Sequence, residues 1–331
     1  MKISQKNGCY LMYIITPCRN AAATISETID SIISQSSVSP IYYHVQDGLS
    51  SDGTQDILAG YQERLASDPA HYGHIVFSWV SEPDVGMYDA ISKAVDKLNI
   101  QPNDFMGWLN ADDLLCPNTI STIHEIERNL PNIDWVGGVR FVMDMNRKIL
   151  FQGRKFSRYP RDLLLNGLCD GLHWHFLQQE GTFWRKRIWN AAGGLNTQLR
   201  FAGDWDLWRR MACYGEYTQL TESTGIFRKR PGQLSAGSSY YNELDSILSK
   251  TNRRNSLYRL LRSFPFMRVK NLIRNPNGVL TLQEGRLRLY WKDIVRLCLV
   301  SLSPDISYGF VARRRKRAWL QGARSEGDEG I

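Results

Sequence analysis

Three short acidic motifs in this chain of 331 residues set carboxylates where a strand ends or a helix begins. Asn110-Ala111-Asp112-Asp113 follows the apolar Gly107-Trp108-Leu109. Two adjacent carboxylates are costly to crowd together unless a cation neutralises them. A hard ion such as Mg²⁺ or Mn²⁺ takes one or two carboxylates together with substrate phosphate oxygens. Helix capping accounts for one of these aspartates but not for both. Gln46-Asp47-Gly48-Leu49-Ser50-Ser51-Asp52-Gly53-Thr54 places an acid before glycines and a helix start. That arrangement suits hydrogen bonds to a base or ribose, and a tight turn with an Asp cap is the plain alternative. Gly203-Asp204-Trp205-Asp206-Leu207-Trp208 opens a helix beside tryptophans. Its acids are either caps and first-turn charges or a general base held for an incoming hydroxyl.

The surrounding pattern alternates in type and puts these motifs at strand ends. Leu11 to Thr16, Ile41 to Val45, Ile75 to Val80 and Asp104 to Leu109 are short apolar runs that predict buried strands. Between them Ala21 to Ser34, Thr54 to Leu65 and Met87 to Leu98 have helical spacing, and Thr119 to Asn129 follows Pro117. This alternation predicts an α/β fold with a doubly wound, mostly parallel sheet, in which ligands bind beyond the carboxyl ends of the strands. Farther on, Trp135 to Met145 and Lys148 to Phe156 read as strands around an Asp144–Arg147 turn. Tyr159 to Leu177 reads as a loop-rich insert, and Ala202 to Tyr214 as a helix. After residue 240 the pattern turns helical and basic, so a domain of residues 1–250 and a basic helical extension of 251–331 are expected.

Composition narrows the classes. A hydrophobic fraction of 43% supplies a packed core and excludes a disordered or collagenous chain. Six cysteines without a CxxC pair fit reduced thiols rather than a zinc site or a disulfide framework. No signal-peptide pattern and no membrane-spanning run is apparent, which predicts a cytoplasmic protein, soluble or lying on the inner face of a membrane. The net charge of +8 is uneven: residues 1–252 hold 24 Lys/Arg against 27 Asp/Glu, and residues 253–331 hold 17 against 6. That excess suits an anionic surface.

The ordered set Thr16-Pro17-x-Arg19-Asn20, Asp47-Gly48-x-Ser50-x-Asp52-Gly53-Thr54, Glu82-Pro83-Asp84-x-Gly86-x-Tyr88-Asp89-Ala90, Asn110-Ala111-Asp112-Asp113 and Asp204-x-Asp206-Leu207-Trp208 resembles the inverting family 2 glycosyltransferases with the Rossmann-like GT-A fold. Within them it is most similar to bacterial enzymes that build polysaccharides such as O-antigen or capsule. The resemblance covers residues 10–235. It implies that Thr16, Pro17 and Arg19 border a nucleotide pocket and that Asp47 binds the uracil or ribose. Asp84 and the stretch from Gly86 to Lys93 would flank the sugar nucleotide. Asp112 would ligate a Mn²⁺ or Mg²⁺ bridging the diphosphate, with Asn110, Ala111 and Asp113 supporting, and Asp204 would be the catalytic base. The donor would be a nucleotide-diphosphate sugar, UDP favoured, and the acceptor a saccharide, lipid-linked in the bacterial enzymes.

Two positions depart from the family pattern. Gln179-Glu180-Gly181-Thr182-Phe183-Trp184 stands where many relatives carry His-Gln, so Glu180 is a second catalytic candidate, with pairing to Arg185 or Arg187 as the structural alternative. Asn110 replaces an Asp, which removes one charge from the metal motif. His173 and His175 lack a third ligand and read as structural or acceptor-loop residues, while Trp184, Trp205 and Trp208 are expected near sugar. In the extension, Trp291, Ile294, Val295, Cys298 and Leu302 share a helical face beside Arg288, Lys292 and Arg296, and Arg313–Arg317 follow with Trp319. Such a face with cations suits an anionic membrane surface, with packing or oligomerisation as the alternative and no nucleic-acid reading motif in support. Two other functions compete: a sugar-nucleotide nucleotidyltransferase, which would want a Gly-rich phosphate loop with Lys, and a non-enzymatic polyanion-binding scaffold.

Overall fold

A computed structural model describes residues 11–230, 233 and 239–302. The elements run β1 (Met12–Cys18), α1 (Ile25–Ile33), β2 (Ile41–Asp47), α2 (Thr54–Ser67), α3 (Pro69–Tyr72), β3 (Ile75–Ser81), α4 (Met87–Lys97), β4 (Phe105–Trp108), β5 (Leu114–Leu115) and α5 (Thr119–Asn129). They continue with β6 (Trp135–Gly137), β7 (Phe141–Asp144), β8 (Ile149–Gln152), α6 (Arg161–Leu165), β9 (Thr182–Arg185), α7 (Lys186–Ala192), α8 (Gly203–Met211), β10 (Thr218–Leu220) and β11 (Gly225–Lys229). α9 (Ser239–Ile247), α10 (Lys250–Leu260), β12 (Arg268–Arg274), β13 (Leu280–Arg286) and α11 (Trp291–Leu302) complete the described chain.

A nine-stranded sheet in the order β13-β12-β10-β6-β9-β4-β1-β2-β3 forms the centre. β1 is buried along its whole length because it pairs in parallel with both β2 and β4 and both its faces are covered. Alternate residues feed two apolar layers: Tyr13 and Ile15 join Ile91, Trp108 and Trp184, whereas Met12 and Ile14 join Ile25, Ile29 and Ile123. A strand covered on both faces reads as a continuous apolar run, which is why these strands are visible in the sequence. Gly107 in β4 admits its neighbour: a Cβ there would stand 2.8 Å from the Phe183 ring and 2.9 Å from the Thr182 carbonyl oxygen. A second sheet, β5-β11-β7-β8, stands beside the first and ends in the β7–β8 hairpin.

Two expectations need correction. The segment after residue 250 is not uniformly helical: β12 pairs in parallel with β10 and β13 antiparallel with β12, so the chain returns to extend the main sheet. Leu257, Phe264, Met267 and Val269 lie in the same apolar layer as Trp108. Trp184, Trp205 and Trp208 are buried core residues rather than a sugar wall, with Trp108 stacked on Trp208 at 5.8 Å between ring centroids. The face of α11 carrying Trp291, Ile294, Val295 and Cys298 points outward, and the helix docks instead through buried Asp293 and Leu297. Residues 313–317 and Trp319 lie outside the described residues.

Candidate active site

The carboxyl ends of β1, β2 and β4 are neighbours in the sheet, so the loops after them share one rim. The first two loops are stitched together. Asn20 N donates to Ser50 Oγ at 2.7 Å, Ala21 N to Thr54 Oγ1 at 2.9 Å and Ser51 N to Asn20 Oδ1 at 2.9 Å. Gly48 leaves room in this rim for Asp84, whose Oδ2 as placed would lie 2.3 Å from a Cβ there. That close approach seats Asp84 over the β2 loop, where its other oxygen accepts from Gly86 N at 2.9 Å.

The sequence-predicted nucleotide residues fare differently. Arg19 is exposed at the rim, and Pro17 lies within the buried run of β1 beside Thr16, whose hydroxyl accepts from Tyr43 Oη at 3.1 Å. Asp47 is wholly buried and its carboxylate is occupied by Ser50 N at 3.0 Å, by Ser81 Oγ at 2.6 Å and by Ser50 Oγ. It shapes the loop, and a nucleotide reaches it only by displacing one of these donors. Lys93 pairs with Asp89 at 2.8 Å along α4 and donates to the carbonyl of Pro83, next to Asp84, at 2.8 Å.

The acids after β4 split into an inner and an outer one. Asp113 is fully buried, with Oδ1 accepting from Arg228 N at 2.8 Å and Oδ2 from Asn110 Nδ2 at 3.0 Å. Asn110 Nδ2 also reaches Glu180 Oε1 at 3.4 Å. Burial, then the charges of Glu180 and Asp112, push the Asp113 carboxyl well above the ordinary range. Burial is also the first cause that lifts Glu180 to about 7, with the charges of Asp204 and Asp112 adding to it. Glu180 therefore faces the acids and not Arg187, which pairs with Asp134. Asp112 turns outward. Its Oδ2 accepts from Arg230 Nε at 2.5 Å and Gln233 Nε2 at 3.3 Å, while Arg228 Nε donates to its carbonyl.

Asp204 sits in the first turn of α8, behind a clamp: Glu243 of α9 accepts from the backbone N–H of Arg200, Phe201 and Ala202, each at 2.7 Å. Asp204 Oδ1 accepts from Trp205 N at 2.8 Å, and the Tyr88 hydroxyl also hydrogen-bonds its carboxylate. Burial outweighs these donors and pushes Asp204 up to about 7. Its neighbour Asp206 is structural, paired with Arg210 at 2.8 Å and Arg209 at 3.2 Å on its own helix. Arg228, Arg230 and Glu243 were not assigned roles by the sequence, and Tyr88 was placed only in the stretch flanking the sugar nucleotide. The available signal was Arg228-Lys229-Arg230, where alternate strand residues set both arginines on one side.

The residues present fit a divalent ion of limited kind. Among the described residues no group of three or more His, Cys, Asp or Glu side chains is placed to hold one. Asp112 offers a single outward carboxylate, and the buried Asn110 Oδ1 beside it has no partner. One protein carboxylate with substrate phosphate oxygens completing the shell is the mode in which Mg²⁺ and Mn²⁺ bind.

The profile of the family described as glycosyl transferase family 2 matches residues 13–188. An uncharacterized glycosyltransferase of Rickettsia typhi (strain ATCC VR-144 / Wilmington) is 24% identical over 218 residues, 64% of this chain and 63% of that relative's length. The chain is similar in fold to S. aureus TarS 1-349 in complex with UDP-GlcNAc, at TM-score 0.54 and 13% identity over 94% of this chain and 92% of that one. For the same protein in complex with UDP the values are 0.53 and 16% over 76% and 71%. GalNAc-T7 with UDP, GalNAc and Mn²⁺ gives 0.51 and 12% over 79% of this chain and 52% of that one. At such identities these structures show a shared fold.

Proposed function

The chain belongs to glycosyl transferase family 2, and on that premise we propose that it moves a sugar, with inversion, from a UDP-sugar to a saccharide acceptor. One observation supports this reading: Glu180 feels the charges of both Asp112 and Asp204, so the acid after β4 and the acid that opens α8, itself pushed up to about 7, lie near one another. Asp204 is poised to accept the proton of the acceptor hydroxyl as its oxygen attacks the anomeric carbon, since a base near neutrality couples availability with driving force. Tyr88 and Trp205 N–H orient the Asp204 carboxylate, and the Glu243 clamp fixes the turn that carries it. A single displacement inverts the carbon and needs no second nucleophile. Asp112 would hold Mn²⁺ or Mg²⁺, which when bound neutralises charge on the departing diphosphate. Arg19 and Asp84 border the nucleotide, and Glu180 holds the Asn110–Asp113 corner or a sugar hydroxyl. Two structures of this fold hold UDP and UDP-GlcNAc, which supports UDP as carrier.

The acceptor we favour is a lipid-linked saccharide of bacterial surface polysaccharide synthesis, met at the inner face of a membrane. The basic extension and the outward apolar face of α11 support that placement. No helix among the described residues is long and apolar enough to cross a membrane.

Thermal denaturation with UDP and a panel of UDP-sugars, with and without Mn²⁺, tests the donor. A ligand at about 100 times its Kd should add about 2.7 kcal/mol to stability. Absence of any shift with every nucleotide tried removes the donor assignment.

The pH profile follows from Asp204. As a base it works only deprotonated, so kcat/KM should fall about tenfold per pH unit below 7 and level off above about 8. A profile flat from pH 5 to 8 contradicts a base held near neutrality.

A further inference from the structure

The β7–β8 hairpin carries exposed apolar side chains, with the Arg140 guanidinium lying over the Phe151 ring at 5.1 Å. Ile149 is 59% exposed, Leu150 43% and Phe151 46%, although consecutive strand residues point to opposite faces. Both faces of this edge strand are therefore open. A flat protein partner would cover one face, whereas an interface into which the hairpin inserts covers both. The turn is preformed: Asp144 Oδ1 accepts from Asn146 N at 3.0 Å and Lys148 N at 2.8 Å.

The exposed charge beside it is mostly cationic: Lys148, Arg154 and Lys155 are exposed, whereas Asp144 sits at the turn and Arg147 pairs with Glu27 at 3.5 Å. Residues 145–161 contain Arg147, Lys148, Arg154, Lys155, Arg158 and Arg161 and no Asp or Glu. The segment leaving the hairpin runs to the foot of α11. Arg154 lies over the Tyr290 ring at 3.7 Å, Arg288 over the Phe156 ring at 4.2 Å, and Arg158 pairs with Asp293 at 2.5 Å. There Trp291 is 76% exposed beside outward Ile294 and Val295. At its root the hairpin pairs through β7 with β11, whose Arg228 touches Asp112 and Asp113.

We propose that the β7–β8 hairpin is a docking wedge for an anionic bilayer, inserting Ile149, Leu150 and Phe151 among the headgroups while the flanking cations meet lipid phosphates. This deepens the membrane-facing part of the proposed function and rests on it. Apolar insertion and cationic attraction are each weak and together give reversible binding. Because the hairpin pairs through β7 with the strand whose Arg228 touches the acid corner, a lipid-anchored acceptor would present its saccharide near that corner.

Sedimentation of the full chain with phosphatidylglycerol-containing and pure phosphatidylcholine vesicles tests the proposal. Wild type should pellet with the anionic vesicles and be released by salt. Ile149→Ser/Phe151→Ser should lower the partition coefficient at least tenfold, with the melting temperature and the hydrolysis of free UDP-sugar unchanged. Lys148→Glu/Lys155→Glu should weaken binding to the anionic vesicles specifically. Unchanged pelleting of both variants overturns the wedge and leaves membrane binding to other parts of the chain. No pelleting of wild type at low salt overturns both, while nucleotide-induced stabilisation still reports on the donor site. A dimer in solution that Ile149→Ser/Phe151→Ser dissociates, in protein inert to vesicles, assigns the patch to a second copy and overturns the proposal.

Discussion

Asp204→Asn should bind donor as wild type does and transfer sugar about 10²–10⁴-fold more slowly. Asn keeps the volume and an oxygen to accept from Trp205 N–H, so the first turn of α8 and its Glu243 clamp stay formed. What disappears is the proton acceptor. Asp206 cannot replace it, because Arg209 and Arg210 occupy its carboxylate. Glu180 is the one nearby acid with a similar affinity for protons, held at about 7 by burial and neighbouring charge. Isothermal titration with UDP against a single-turnover transfer assay separates binding from chemistry. The variant should also lose the rise in rate through pH 7. Near wild-type turnover in Asp204→Asn moves the base to Glu180, and Glu180→Gln then becomes the slow enzyme.

The part of the fold legible in the sequence is the part where one local pattern has one spatial solution. β1, β2 and β4 are buried on both faces, so their sequences are largely apolar runs, and α1 shows Ile25, Ile29, Ile32 and Ile33 on one face. β12 and β13 were hidden because they lie toward and at the sheet edge. Their pattern of Arg268, Lys270, Arg274, Glu284 and Arg286 reads as solvated surface, and pairing of β12 with β10 is non-local. α11 shows a different limit. Periodicity reveals that a helix has two faces but not which one docks; here the ion pair of Asp293 with Arg158 and His175 turns the apolar face out.

The site was legible as a list of acids and illegible as an allocation of their lone pairs. Asp47 and Asp113 stand in the motifs that the family resemblance singles out, yet both are buried, with backbone and side-chain donors already on their oxygens. His173 likewise proved structural, its Nδ1 at 2.7 Å from the fully buried Asp170. Tryptophans near an acid looked like a sugar platform, but Trp184 and Trp208 pack within the core layer that supports α8. Sequence spacing says which residues arrive at a rim; only packing says which atoms are still available there.

Availability also sets the last expectation, that Asp112→Ala abolishes the Mn²⁺-dependent part of donor stabilisation and lowers kcat/KM about 10³-fold. Neutralising charge on a departing diphosphate is worth several kcal/mol in the transition state, and about 4 kcal/mol corresponds to that factor. Asp113 cannot take over, since its two oxygens are bound by Arg228 N and Asn110 Nδ2, and burial pushes its carboxyl well above the ordinary range. The ion must also compete with Arg230, which holds Asp112 Oδ2 at 2.5 Å. Arg230→Gln should therefore act with the opposite sign on binding, lowering the Mn²⁺ concentration that gives a half-maximal melting shift in the presence of UDP. If Asp112→Ala keeps a Mn²⁺-dependent shift as large as wild type, the ion is held elsewhere. If Mn²⁺ never shifts the wild type with UDP present, charge on the diphosphate is met by the arginines of β11 and the segment after it.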